Sequence, residues 1–409
     1  MTKLQIKHYR DSLKDTFQKS SQKSWIFSII SILFGFLFGF IIMVCVNPSQ
    51  SLQGFSTLIT GGFNRSFLYS VGNILFNCTP YIGVGLAVAI ASKAGVFNIG
   101  GSGQYTVGGC MALIVANLIN DKIPSPAGFI ICLAVGMLSG AIYALIPALL
   151  KNHFNVNIVV SAIMLNYIAA YGTAILCKNE LWFDSINNRI YNSTDKISNC
   201  MIPTAGLNEI FSFTTSAGKV VPSRLDISII IAIAICILLF FLFKKTSFGL
   251  KITTSGQNET AAKYSGINNH RQLCYAMMIS GAMAGMGAVF SLLSQRPSNF
   301  QPSATVNSIG FTGISVALIA NNNPIACIFS SLLISYIETS GGGLTAVGFN
   351  ANIIGIITSV IIYSSATAFL LSKFVYGIKV KRESKKKYHL LTDHLISENQ
   401  NIKEEKIHG

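Results

Sequence analysis

The chain has 409 residues, 51% of them apolar and only 11% charged, with 30 Lys and Arg against 15 Asp and Glu for a formal charge of +15. Globular domains carry about 25% charged residues, so this composition argues against a soluble enzyme, and its hydrophobicity excludes a disordered chain. What remains is a polytopic membrane protein whose bases lie in the parts that reach water.

In chain order, a basic tail (1–24) precedes ten apolar stretches at 25–46, 71–92, 104–120, 127–150, 156–177, 227–243, 273–293, 305–321, 325–341 and 353–372. Each approaches the ~20 helical residues that cross a bilayer core. Length, and the lack of a ten-residue alternation, predict an all-α polytopic fold of about ten transmembrane helices rather than a barrel. Ten spans put both termini on one side, and that side receives 22 of the 30 bases, which predicts cytoplasmic N- and C-termini. The expected organisation is a cytoplasmic tail (1–24), a transmembrane domain (25–373) with a long extracellular loop (178–226) and a cytoplasmic loop (244–271), and a charged cytoplasmic tail (374–409). The run KVKRESKKK at 379–387 reads as a positive-inside anchor beside membrane lipids, not as a nucleic-acid site.

Between the second and third stretches lies AGVFNIGGSGQYTVGG, 94–109, where Gly100, Gly101 and Gly103 are expected to break the helix. Irregular backbone at membrane depth must be buried in protein or line a water-filled cavity. Asn98, Ser102, Gln104, Tyr105 and Thr106 bring neutral amide and hydroxyl groups to the same place, which suits a neutral hydrogen-bonding solute. The competing reading is close helix packing through small residues. In the 244–271 loop, Asn258 is placed to cap a helix of one to two turns, with Glu259 in the first turn, Lys263 four residues on and Gly266 as a left-handed stop. Its small residues Ala261 and Ala262, with Ile267 beyond the stop, suit insertion into a partner's cleft. A comparable interruption, GFTGISVALIANNNP, runs from Gly310 to Asn323 and Pro324.

Glu338 is the one Asp, Glu, Lys or Arg within the ten stretches. It reads as a snorkelling residue near a helix end before the Gly341-Gly342-Gly343 break, or more sharply as a gating or substrate contact. Ion-coupled transport and intramembrane proteolysis need more buried ionisable groups than this. No GxxxxGK[ST] loop occurs, so any ATPase must be another chain. The nine cysteines form no C-x-x-C pair and imply no disulfide framework; the six histidines have no ligand-spaced partner, and no metal site is expected.

Four of these stretches resemble one family. GVFNIGGSGQ (95–104) is similar to the FNIG-x-x-GQ signature of ABC-importer permeases of the branched-chain amino acid and simple-sugar superfamily, and within it to the nucleoside importers that depend on a lipoprotein. FNVNIVVSAIMLNYIA (154–169), GLKITTSGQNETAAKYSGIN (249–268) with ISGAMAGMGA (279–288), and GFTGISVALIANNNP (310–324) resemble further family blocks in the same order. The resemblance covers 71–372. It implies a non-enzymatic plasma-membrane subunit that binds no cofactor, pairs with a second similar permease, rests on an ABC ATPase that uses ATP, and receives solute from an extracellular binding lipoprotein. It implies pathway positions at Asn98, Gly100, Gly103 and Gln104, and ATPase docking at Glu259, Ala261, Ala262 and Gly266. Ile158 and Ser102 stand where the family carries acids, a departure that bears on the solute because Ser102 lies within the candidate pathway; within the same class, a simple sugar is the alternative solute. A passive channel or ion-coupled carrier is the alternative from another class, and it would need no docking segment.

Overall fold

The computed structural model describes residues 24–60, 63, 66–178, 182–184, 189–190, 194–215, 218–294, 300, 305–350 and scattered positions from 352 to 364. Both tails, and most of the expected span 353–372, lie outside the described residues. Two units divide the chain: Phe40–Thr358, and Met1–Gly39 with Ser359–Gly409. Of the smaller unit, the main described element is the beginning of helix α1 (Ser24–Val46). All later elements belong to the larger one.

Those elements are α2 (Ser51–Thr60), α3 (Phe67–Lys93), α4 (Gly101–Ile119), α5 (Ala127–Phe154) and α6 (Ile158–Leu176). The 178–226 loop follows, with hairpin β1 (Phe183–Asp184) and β2 (Arg189–Ile190), short helices α7 (Thr194–Ile197) and α8 (Leu207–Ile210), and hairpin β3 (Phe213–Thr214) and β4 (Val220–Val221). Then come α9 (Ser228–Lys245), α10 (Ser247–Gln257), α11 (Glu259–Tyr264), α12 (Asn269–Leu292), α13 (Ile309–Ile319) and α14 (Pro324–Ala346). Both hairpins are antiparallel, with Phe183 opposite Ile190 and Phe213 opposite Val221.

Among the described residues, seven helices are long and apolar enough to cross a membrane: α3, α4, α5, α6, α9, α12 and α14. The expected ten are not confirmed: seven of them are seen, and 353–372 lies mostly outside the described residues. The stretch 305–321 becomes an 11-residue helix, α13, about 16 Å long and only half the hydrocarbon thickness. Its polar flanks cut it short: Asn307 accepts the Ile309 N–H at 3.0 Å, and Asn321 and Asn322 turn left-handed at φ 50° and 55°. Helix α2 was not expected; its ten residues are too few to span.

Helix α3 is the centre, buried continuously from Cys78 to Ala91. Pro80 inside it removes the N–H that would serve the Phe76 carbonyl, and Thr79 Oγ1 donates to that carbonyl at 2.8 Å instead. Helices α5 and α3 flank α12, and α4 closes against α5 and α12. The α4, α5 and α12 seam is built from glycine: a Cβ on Gly285 would overlap the Gly136 carbonyl, and one on Gly281 the Gly140 carbonyl. Both pairs are spaced i, i+4, the small-residue pattern that lets helices meet without a hydrophobic driving force. This loop folds back onto the bundle, where Asn199 N–H donates to Asn120 Oδ1 at 2.9 Å and Ile202 N–H to the Leu293 carbonyl at 2.8 Å.

Candidate functional site

The helix break falls at 94–100, so of the three glycines expected to break the helix only Gly100 lies within it. Gly100 is the residue that caps α4, while Gly101 and Gly103 lie inside its first turn. The glycines serve close approach: a Cβ on Gly310, at the start of α13, would overlap the first-turn backbone of α4 at Ser102. From Lys93 the chain turns through Gly95 (φ 74°) and runs non-helically until Gly100.

This segment reaches a buried amide network. Asn98 Nδ2 donates to Gln104 Oε1 at 2.9 Å and to Ser280 Oγ at 2.7 Å. Asn98 Oδ1 accepts from the Gly100 N–H at 2.9 Å and from Gln104 Nε2 at 3.2 Å. Ser280 Oγ in turn donates to the Ala87 carbonyl of α3 at 2.6 Å. Asn166 of α6 completes the ring, accepting from Gly103 N–H at 2.8 Å and donating to the Ile99 carbonyl at 3.0 Å. Ser280 is the twelfth residue of the 24-residue α12, so the network sits about 17 Å along a spanning helix. Ser102 Oγ donates to the Asn307 carbonyl at 2.7 Å and Thr106 Oγ1 to the Ser102 carbonyl at 2.8 Å. Asn98, Ser102 and Gln104 are at most 1% exposed. The irregular backbone is thus satisfied by protein, as burial requires. Of the expected pathway side chains, Asn98 and Gln104 pair with each other, Ser102 and Thr106 bond to backbone carbonyls, and Tyr105 is buried, 2% exposed, beside Ser291. Ser280, Asn166 and Asn307 were missed, although two of them stand as single polar residues in the apolar blocks ISGAMAGMGA and MLNYIA.

The second region lies at one end of the bundle. Asn258 Oδ1 caps α11 by accepting the Ala261 N–H at 3.0 Å. Glu259 and Lys263 occupy its first and last turns, each the favoured sign for the helix dipole. Gly266 ends it at φ 75°, with nothing within 4 Å of a Cβ, so backbone conformation alone demands glycine there. The Gly266 N–H reaches the Lys263 carbonyl and the Ile267 N–H the Ala262 carbonyl, both at 3.0 Å. Ala262 is fully buried, so of the two expected contact alanines only Ala261 is exposed. Asn269 Nδ2 ties the helix down by donating to the Glu259 carbonyl at 2.8 Å. Tyr264, which sequence reading passed over, is 90% exposed. Beside it opens a cleft of about 760 Å³ lined by Gly95, Lys151, Asn155, Glu259, Lys263 and His270. Asn323 caps α14 through the Ile325 N–H at 3.0 Å, and Pro324 occupies the first turn.

Glu338 does not precede a break: α14 continues through Gly341–Gly343 to Ala346. The exposed Glu338 carboxylate accepts a hydrogen bond from the hydroxyl of Tyr81, which is 8% exposed on α3. One turn away Asn77 Nδ2 donates to Thr339 Oγ1 at 3.3 Å. The cysteines also pair in space: Cys110 Sγ and Cys177 Sγ stand 3.1 Å apart as free thiols.

Several curated proteins are similar to this chain. The nucleoside ABC transporter permease protein NupB of Lactococcus lactis is 31% identical over 321 residues, 78% of this chain and 85% of the relative. The guanosine ABC transporter permease protein NupP of Bacillus subtilis is 29% identical over 347 residues, 84% and 92% of the two chains. The glucose ABC transporter permease protein TsgB13 of Haloferax volcanii is 25% identical over 319 residues, 77% and 80%. No solved structure matches. Residues 70–373, from α3 to beyond α14, match the family described as branched-chain amino acid transport system / permease component, and the chain belongs to that family.

Proposed function

We propose that this chain is the membrane-spanning subunit of an ATP-driven importer for nucleosides. The observation that carries the reading is the short capped helix α11, presented at the end of the bundle with Tyr264 exposed beside an open cleft. A helix of six residues is too short to persist in water alone, yet caps at both ends and the Asn269 tie hold this one ready for a partner. We assign that partner as a separate ABC ATPase, which binds and hydrolyses the ATP. Asn258, Glu259, Ala261, Lys263, Tyr264, Gly266 and Ile267 form the contact, and Ala262 its buried support. The nucleoside and guanosine permeases among the relatives support the solute class.

The rest of the assembly follows the same reading: a second homologous permease, an extracellular binding lipoprotein, and a plasma membrane that places both termini and the 244–271 loop in the cytoplasm. Lys93, Lys244 and Asn323 line one shallow pocket, and Lys151, Lys263 and His270 the larger cleft, which agrees with a basic cytoplasmic face. The residues around Asn98 act as a latch between the α4 and α12 pair and its neighbours α3 and α6, and the bonds to those neighbours re-pair as the pathway alternates. A simple sugar is the second reading, favoured by the glucose permease among the relatives.

Co-expression with the adjacent ATPase tests the assignment. Tyr264→Ala should lower ATPase co-purification at least tenfold, as loss of an aromatic interface anchor does, and abolish ATP-dependent uptake while leaving the permease folded. Full ATPase capture by Tyr264→Ala and by an Asn258-to-Ile267 loop replacement would refute it. Competition of labelled uridine uptake by nucleosides but not by ribose or glucose is the expected solute result.

A further inference from the structure

The α3 and α14 seam carries a polar ladder that the latch does not use. Along it, Ser335 Oγ donates to the Ile74 carbonyl at 2.6 Å, Asn77 pairs with Thr339, and Tyr81 donates to Glu338. Two of these are neutral bonds between helices. Glu338 is different. Its side chain is exposed while its partner Tyr81 is buried, and among the described residues its one hydrogen bond is to Oε2, which leaves Oε1 open.

A carboxylate on a spanning helix is costly against lipid and is kept where water, a partner charge or a substrate meets it. No base stands on α14; Lys93, the nearest base on α3, lies twelve residues beyond Tyr81, about 18 Å along the helix, and Arg224, which packs on Phe76 of α3, faces Asp226. The site therefore offers an acceptor with one oxygen held by a phenol and the other free, beside the Asn77 amide. Two adjacent hydroxyls match it: an ionised carboxylate accepts from both members of a vicinal diol, and acidic residues recognise ribose hydroxyls elsewhere in this way.

We infer that Glu338, positioned by Tyr81, binds the ribose 2′,3′-diol of the nucleoside as it crosses the permease. The inference rests on the nucleoside reading above and deepens it by naming the recognised part of the solute.

The test uses the complete transporter with its binding protein and ATPase, measuring uptake of labelled uridine and 2′-deoxyuridine for wild type, Glu338→Gln and Tyr81→Phe. Loss of a charged hydrogen bond changes recognition about 10- to 100-fold. Glu338→Gln should lower uridine uptake by that factor and 2′-deoxyuridine uptake much less, so that the ratio of the two collapses. Tyr81→Phe should shift the ratio part of the way, which a purely structural tyrosine would not do. If Glu338→Gln leaves the ratio unchanged, the inference is wrong, whether total uptake is retained or lost equally for both; equal loss with reduced pairing to the second permease would make Glu338 a subunit contact. If wild type takes up no nucleoside, the functional reading itself fails, a result visible before any variant is compared.

Discussion

Asn98 makes the most demanding test of the buried network. Replacing it with leucine keeps the bulk and removes all four hydrogen bonds: two donated to Gln104 and Ser280, two accepted from Gly100 and Gln104. Measured hydrogen bonds between membrane helices average about 0.6 kcal/mol, which sets a floor near 2 kcal/mol for four. The ceiling comes from what is orphaned. The Gly100 N–H and both polar atoms of Gln104 would lose their Asn98 partners in a buried site, at about 1–3 kcal/mol each. Ser280 suffers least, because its hydroxyl still donates to Ala87. Gln104→Met is the control with nearly the same volume. It breaks two bonds, but Asn98 keeps Ser280 and Gly100, so it should cost about 1 kcal/mol. Denaturation of the purified permease in mixed micelles, followed by circular dichroism, should therefore rank wild type above Gln104→Met and both well above Asn98→Leu. An Asn98→Leu protein within about 1 kcal/mol of wild type, or one more stable than Gln104→Met, would show that the network does not brace the break.

Other expectations follow from single features. Asp226, buried ahead of α9, has its carboxyl pushed up to about 6 by burial, only partly offset by bonds from Ser228 and the nearby Arg224. A raised folded-state value means stability is greatest below about pH 4 and falls as pH rises through about 6, by about 3 kcal/mol; Asp226→Asn should flatten that profile in pH-dependent unfolding, and an unchanged slope would contradict it. Gly285→Val should prevent assembly of the bundle, since its side chain meets the Gly136 carbonyl, whereas Gly172→Ala on α6 faces open space and should stabilise by about 0.5–1 kcal/mol; thermal denaturation compares them. Mild iodine oxidation should join Cys110 to Cys177, whose sulfurs are 3.1 Å apart, giving a cross-linked peptide by mass spectrometry that Cys110→Ala abolishes.

How much could be read from sequence depended on whether a feature was local. The long uncharged runs identified α3, α5, α9 and α12, and Asn258 with Gly266 defined α11 to within a residue, because caps act over one turn. The stretch 305–321 misled because apolar composition continues past the asparagines that end α13. Gly100, Gly101 and Gly103 read as breakers because propensity ignores what packs alongside; Gly101 is helical against α13 and Gly103 against Asn166 of α6 and Tyr143 of α5. Glu338 looked peripheral for want of its partner, since Tyr81 is 257 positions away. Cys110 and Cys177 are likewise unrelated by spacing, and only the packing of α4 on α6 makes them neighbours. The wider polar ring was half legible: Asn98 and Gln104 stand close in the chain, whereas Ser280 and Asn166 come from two other helices.

The glycine seam among α4, α5 and α12 has a mechanical meaning. Where carbonyl groups and Cα atoms touch directly, as Gly136 and Gly140 do with Gly285 and Gly281, there is no side chain to rotate aside and no slack to absorb sliding. Those three helices must travel as one block during any transport cycle. Relative motion is left to seams closed by side chains that can exchange partners, such as α3 against α14. Among the described helices, the carboxylate of Glu338 lies on such a seam.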